Sequence, residues 1–156
     1  MNFSKTNQES LRNKNSISKI LSLTILFTLF TILGFSQEKK GQTITVTIDN
    51  VKSNTGAVLL GLHDSTTFMK TDALQAAKSK IENNKITVTF KNVKPGEYAI
   101  IAVHDENENG KMDYESHGMP LESYGVSNNP LSYGPPQYNE AKFNLANKDL
   151  NLNIRF

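Results

Sequence analysis

Apolar residues return at every second position in several short runs of this chain. Thr43 to Asp49 reads TITVTID, with Ile44, Val46 and Ile48 on one face and Thr43, Thr45 and Thr47 on the other. That is the period of a half-buried strand. SNTG, Ser53 to Gly56, is a turn signal, and AVLLGLHD, Ala57 to Asp64, is a more continuous apolar run, so the two runs predict a hairpin. The next stretch changes character. In STTFMKTDALQAAKSKIENN, Leu74, Ala76 and Ala77 stand among polar residues, Thr71 is a candidate N-cap and lysines gather toward the end, which predicts one short helix. Alternation resumes over Lys85 to Val93, with Ile86, Val88 and Phe90 on one face. KPGE, Lys94 to Glu97, places Pro then Gly at the centre of a turn, the type II pattern. YAIIAVHD, Tyr98 to Asp105, is the most apolar run and is expected mid-sheet.

From Glu106 to Asn139 the periodicity disappears. This segment holds four of the five prolines and four of the five tyrosines, and a loop of that length in a compact domain is often functional or ordered by a metal. The chain then closes with AKFNL and LNLNIRF, in which Leu150, Leu152, Ile154 and Phe156 align at period two. The sum is an all-β domain: an antiparallel β-sandwich of about seven strands, prealbumin-like or immunoglobulin-like, with one short helix and one long loop.

The first 36 residues read as a targeting segment. Lys5, Arg12, Lys14 and Lys19 stand against Glu9, and Ile20 to Phe35 is a charge-free apolar run closed by the small residues Gly34 and Ser36. This is the layout of a secretory signal peptide. As a helix those sixteen residues reach about 24 Å, short of the roughly 30 Å apolar core of a bilayer. Residues 1–36 are therefore expected to be cleaved, and 37–156 to form a single domain that is periplasmic or secreted and not inserted in a membrane. Of the 17 basic and 15 acidic residues of the chain, 4 basic and 1 acidic fall in that segment, which leaves 13 basic and 14 acidic residues. The basic character thus belongs to the leader, and no basic patch points to nucleic acid. With no cysteine, disulfides, thiolate metal sites and thiol catalysis are excluded.

The richest chemistry lies in VHDENENGKMD, Val103 to Asp113. Asp105, Asn107, Asn109, Gly110 and Asp113 give D-x-N-x-N-G-x-x-D, and Lys111 can offer its carbonyl. Oxygen side chains at alternate positions around a glycine turn are the first three quarters of a calcium loop. The closing glutamate is absent: Ser116 stands at the twelfth position, Glu115 is one residue early and Glu122 lies further on. The bland alternative is an Asx-rich turn bonded to its own backbone. Calcium, where bound, is expected to be weak, on the order of 10⁻⁴ to 10⁻³ M. Two near-copies, LLGLHD and IIAVHD, end in His63-Asp64 and His104-Asp105. On neighbouring strands running the same way they would meet as a His/Asp metal site, the basis of a minor hydrolase reading. Tyr114, Tyr124, Tyr133 and Tyr138 offer a face for a glycan or peptide, or simply pack the loop on the sheet. Ser127 has no glycine-flanked elbow and is not read as a nucleophile.

VKPGEYAIIAVHDENENGKMD, followed by GMPLESYGVSNN and GPPQYNEAKF, resembles the domain-of-unknown-function family 2141, small exported bacterial proteins, over roughly Thr43 to Phe156. FKNVKPGEYAIIAVHD is locally similar to prealbumin-like and carboxypeptidase-regulatory-like sandwich domains. The family resemblance implies a location and a domain type but no mechanism. It singles out Asp105, Asn107, Asn109, Gly110, Asp113, Gly118, Glu122, Ser127 and Asn128. The long loop is expected to fold back so that Glu122 or Asn128 supplies what Ser116 does not. The expected function is a monomeric, non-catalytic exported module with a structural calcium ion and an extracytoplasmic ligand or protein as partner. A glycan- or peptide-binding module using loop 114–138 is the alternative.

Overall fold

The computed structural model describes residues 41–131 and 134–156; the segment read as a signal peptide lies outside the described residues. Among the described residues eight strands follow one another: β1 (Gln42–Ile48), β2 (Ala57–His63), β3 (Gln75–Lys80), β4 (Ile86–Val93), β5 (Gly96–Asp105), β6 (Tyr124–Val126), β7 (Phe143–Leu145) and β8 (Leu150–Asn153). One helical turn, α1 (Tyr138–Ala141), precedes β7. They form two sheets, β4-β1-β8 and β3-β2-β5-β6, with β7 joined to the start of β5. Among the described residues no helix is long and apolar enough to cross a membrane.

Period-two alternation places the core where the sequence puts it. Ile44, Val46 and Ile48 of β1, with Ile86, Val88 and Phe90 of β4, are buried against Val58, Leu60 and Leu62 of β2 and Ile100 and Ala102 of β5. Each of these side chains larger than alanine stabilises the fold by about 1.5–3 kcal/mol through removal from water. Ile154, fully buried, completes this core from the C-terminal end.

Several expectations are corrected. The predicted helix after Thr71 is absent: Gln75–Lys80 is β3, paired antiparallel with β2. Its half-buried and exposed residues alternate, so pairing and one-sided burial override the helix propensity of Ala, Gln and Lys. The fold's short helix lies at Tyr138–Ala141 instead. β1 and β2 form no hairpin: the turn between them carries the chain from one sheet to the other, and β1 pairs with β4 antiparallel and β8 parallel. Between β4 and β5 the left-handed residue is Asn92 (φ 56), not Gly96, so the type II turn is not made. β5 does run mid-sheet, between β2 and β6. The long loop is not structureless, since it contains β6 and a bridge between Tyr114 and Pro120.

Candidate functional site

The end of β5 delivers Asp105 into the loop with its side chain fully buried. Its two oxygens accept the backbone N–H groups of Asn109 (3.0 Å) and Gly110 (2.9 Å), so the carboxylate pins the turn. Gly110 has φ +84, a left-handed conformation that an L side chain resists. Asn107 Oδ1 also accepts the Asn109 N–H (3.0 Å), and Asn109 Oδ1 accepts that of Lys111 (3.0 Å). The amide groups of Asn107 and Asn109 both donate to Asp113 Oδ2 at 2.7 Å. The Asx-turn chemistry of the sequence is therefore realised in full.

Glu122 folds back on this loop. Its Oε1 accepts the Glu106 N–H (3.0 Å) and its Oε2 that of Asp113 (3.2 Å). At 8% exposure it is nearly as buried as Asp105. Leu121 N–H donates to the Asp113 carbonyl (2.9 Å), which returns the chain to the loop at this point. Asp105, Asn107, Asn109, Lys111, Asp113 and Glu122 are thus brought together. Among the described residues none of Asp105, Asp113 and Glu122 is paired with a Lys, Arg or His side chain; the ion pairs are Lys78–Glu108, His104–Glu106, His117–Glu115 and Lys142–Glu97. Nor, among those residues, do three acid or imidazole side chains converge closely enough to hold a metal alone. A cation here would need the asparagine oxygens and a backbone carbonyl as well.

Other candidates fall elsewhere. Asn128 turns its amide to the carbonyls of Glu140 (3.2 Å) and Lys142 (2.7 Å). Ser127, fully buried, accepts the Ile100 N–H (2.9 Å) and donates to the Ala141 carbonyl (2.5 Å). Asn129 reaches the Asn153 carbonyl (2.9 Å), so Ser127-Asn128-Asn129 is a latch that ties β6 to α1 and β8. Gly125 belongs to the same latch: a Cβ there would lie 2.2 Å from the Arg155 carbonyl oxygen.

The two His-Asp pairs do not meet. β2 and β5 are neighbours but antiparallel, with Ala57 opposite Asp105 and His63 opposite Ala99. Six residue steps, about 20 Å of strand, separate the pairs, which removes the His/Asp metal site. His104 is buried, stacks on Phe156 with ring planes 2° apart and donates from Nε2 to the Thr55 carbonyl (2.8 Å). His63 packs edge-on against Phe68, and burial lowers its pKa below 6.5. Asp64 accepts the Thr66 hydroxyl (2.6 Å) and the Thr66 and Thr67 N–H groups, which lowers its pKa and marks it as a turn cap.

A feature that sequence reasoning missed lies on the outer face of the larger sheet. Positions 59, 61 and 63 of β2 and 99, 101 and 103 of β5 face away from the main core, yet all except His63 are apolar or glycine. The long loop covers part of this face and leaves a cleft of about 480 Å³ over Ile101, Val103 and Tyr124, walled by Met112, Tyr114 and Met119. A continuous apolar run is the pattern of a strand covered on both faces, and AVLLGLH and YAIIAV carry it; it is the signal that would have found this second covered face. Of the four tyrosines, Tyr114 and Tyr124 line the cleft. Tyr138 instead packs on Phe68 and donates to the Glu97 carbonyl (3.1 Å), and Tyr133 lies outside the described residues.

The family model described as "Uncharacterized protein conserved in bacteria (DUF2141)" matches residues 46–153. No curated protein and no solved structure matches the chain, so the local prealbumin-like resemblance is not confirmed.

Proposed function

The chain belongs to the DUF2141 family of bacterial proteins, and from that premise we propose that it is an exported, non-catalytic β-sandwich module whose long loop is ordered by a calcium ion. The observation that carries the reading is the return of Glu122 to the Asp105–Asp113 loop, where three carboxylates, two of them buried, lie together without a side-chain cation on any. Buried anionic groups without a positive partner are costly, and a hard divalent ion bound through carboxylate, amide and carbonyl oxygens relieves that cost. The oxygens of Asp105 and Glu122 each accept one backbone donor and retain a second lone pair, whereas Asp113 Oδ2 already accepts the amides of Asn107 and Asn109 and offers its Oδ1 instead. Export is supported by the basic and apolar organisation of residues 1–36, and N-terminal sequencing of the protein recovered outside the cytoplasm is expected to begin at Gln37.

The test of the cation is thermal and calorimetric. With a dissociation constant of 10⁻⁴ to 10⁻³ M, 10 mM calcium is expected to stabilise residues 37–156 by about 1.4–2.7 kcal/mol. Glu122→Gln, which exchanges one acceptor oxygen for a donor, is expected to abolish most of that gain. Absence of both heat uptake and a calcium-dependent rise in melting temperature would leave the loop as an Asx-rich turn held by hydrogen bonds alone.

A further inference from the structure

We propose that the outer face of the larger sheet, beneath the long loop, binds the acyl chain of a fatty acid, with the carboxylate held at Lys78. The site does not depend on the calcium reading; it stands on strand register, lining chemistry and charge. Register places Lys78 opposite Leu59, Leu59 opposite Val103 and Val103 opposite Tyr124. One row of outward side chains therefore crosses β3, β2, β5 and β6. A parallel row runs through Ala76, Gly61, Ile101 and Val126. Gly61 contributes no side chain to this floor, and a Cβ there would lie 2.7 Å from His63 Nε2.

Two cavities lie along these rows and share Ile101 and Val103. A shallow one of about 550 Å³ extends over Leu59, Ala76 and Lys78, and the deeper one of about 480 Å³ lies under the loop. Three interstrand spacings, about 14 Å, separate the two ends of the first row. An extended chain of about a dozen carbons covers that distance, given carbon–carbon single bonds near 1.5 Å.

The lining selects the ligand. Met69, Met112 and Met119 present flexible thioethers that adapt to an apolar chain, while Pro120, Pro135 and Pro136 give rigid walls without N–H donors. The side chains that line the two cavities include no carboxylate and no amide. A glycan ring or an extended peptide would leave its hydroxyls or amides unpaired here, a cost that an alkyl chain avoids. The one cationic side chain lies at the shallow end. Lys78 Nζ is 2.9 Å from Glu108, and its ammonium has three donors, so it can hold a second carboxylate. An apolar floor with a single cation at one end is complementary to a monocarboxylate of medium chain length.

The test is a titration of ¹⁵N-labelled residues 37–156 with sodium dodecanoate below its micelle concentration. Saturable one-to-one shifts are expected at Leu59, Gly61, Ile101, Val103 and Tyr124. Lys78→Ala is expected to weaken dodecanoate about threefold to fivefold, the scale of a half-exposed ion pair, and to leave 1-dodecanol unchanged. Val103→Glu is expected to abolish both. Because Val103 is half-buried, Met119→Glu, at a residue 58% exposed, is the control that keeps the fold, and it is expected to weaken both ligands. Shifts that are absent, that map elsewhere, or that survive Met119→Glu overturn the proposal. So does tighter binding of a proline-rich peptide or an oligosaccharide to the same residues.

Discussion

Neighbouring residues in one turn respond to protons in different pH ranges. His63 is buried against Phe68, and burial disfavours its charged form more than the Thr67 backbone and the Asp64 carboxylate favour it. Its folded pKa is therefore below the ordinary 6.5. As pH falls from that value, the unfolded chain takes up the proton first, so stability present above about 6.5 is lost as pH drops through the lowered folded value. Asp64 also has a lowered pKa, held down first by the Thr66 hydroxyl, so its contribution is present above 3.8 and is lost only in more acidic solution. The two windows do not overlap at their upper ends. The urea midpoint of residues 37–156 is expected to decline as pH falls below 6.5, and His63→Gln, which removes the titration, is expected to flatten that decline. A slope unchanged in His63→Gln would assign it to another group.

At the scale of elements, legibility followed how local the determining interactions are. β1 and β4 were visible because Ile44-Val46-Ile48 and Ile86-Val88-Phe90 record burial in their own alternation, and β5 because its apolar run to Val103 is unbroken. β3 was not, because Ala76, Ala77 and Lys78 favour a helix locally, and only pairing with β2 makes them a strand. Strand direction was equally hidden: LLGLHD and IIAVHD look alike, and nothing within either segment states that they run antiparallel. The Asx-rich turn from Asp105 to Asp113 was legible because its spacing is local, whereas the return of Glu122 rather than Asn128 to it depended on where the chain meets β6. β8 is a similar case. Its alternation was clear, but its parallel pairing with β1 is set by the whole sandwich. Just beyond β8, Ile154 is fully buried, donates its N–H to the Thr47 carbonyl (3.0 Å) and lies against Gly125. It therefore joins the end of the chain to both sheets. Ile154→Ala is expected to cost about 2–5 kcal/mol through lost burial and the cavity left behind, read as a fall in the guanidinium midpoint with an unchanged slope. A loss below about 0.5 kcal/mol, the scale of a surface substitution, would mean that β8 docks independently of that contact.

At the scale of the molecule, the Asp105–Asp113 loop and the apolar cleft are parts of one structure. Met112, Tyr114, Gly118, Met119 and Pro120, which wall the cleft, lie in the chain between Lys111 and Glu122. That segment is fastened by the Asp113 and Glu122 contacts and by hydrogen bonds such as Glu115 N–H to the Met119 carbonyl (2.8 Å). In the proposed calcium-bound form the ion would tie Asp105, Asp113 and Glu122 to this closure, while the main core of β1, β4 and the inner faces of β2 and β5 is built from other residues. Chelation is therefore expected to loosen a local unit and leave the sandwich intact. In hydrogen exchange, the amides of Asp113, Glu115 and Leu121 should exchange faster in chelator than in 10 mM calcium, while those of Val46 and Val88 keep their rates. The affinity for dodecanoate should fall in parallel, because the cleft wall is then less often in place. Faster exchange without a change in dodecanoate affinity would separate the two sites and confine the ligand to the sheet floor. Equal exchange in both solutions would mean that the hydrogen bonds of Asp105 and Glu122 hold the loop without a metal.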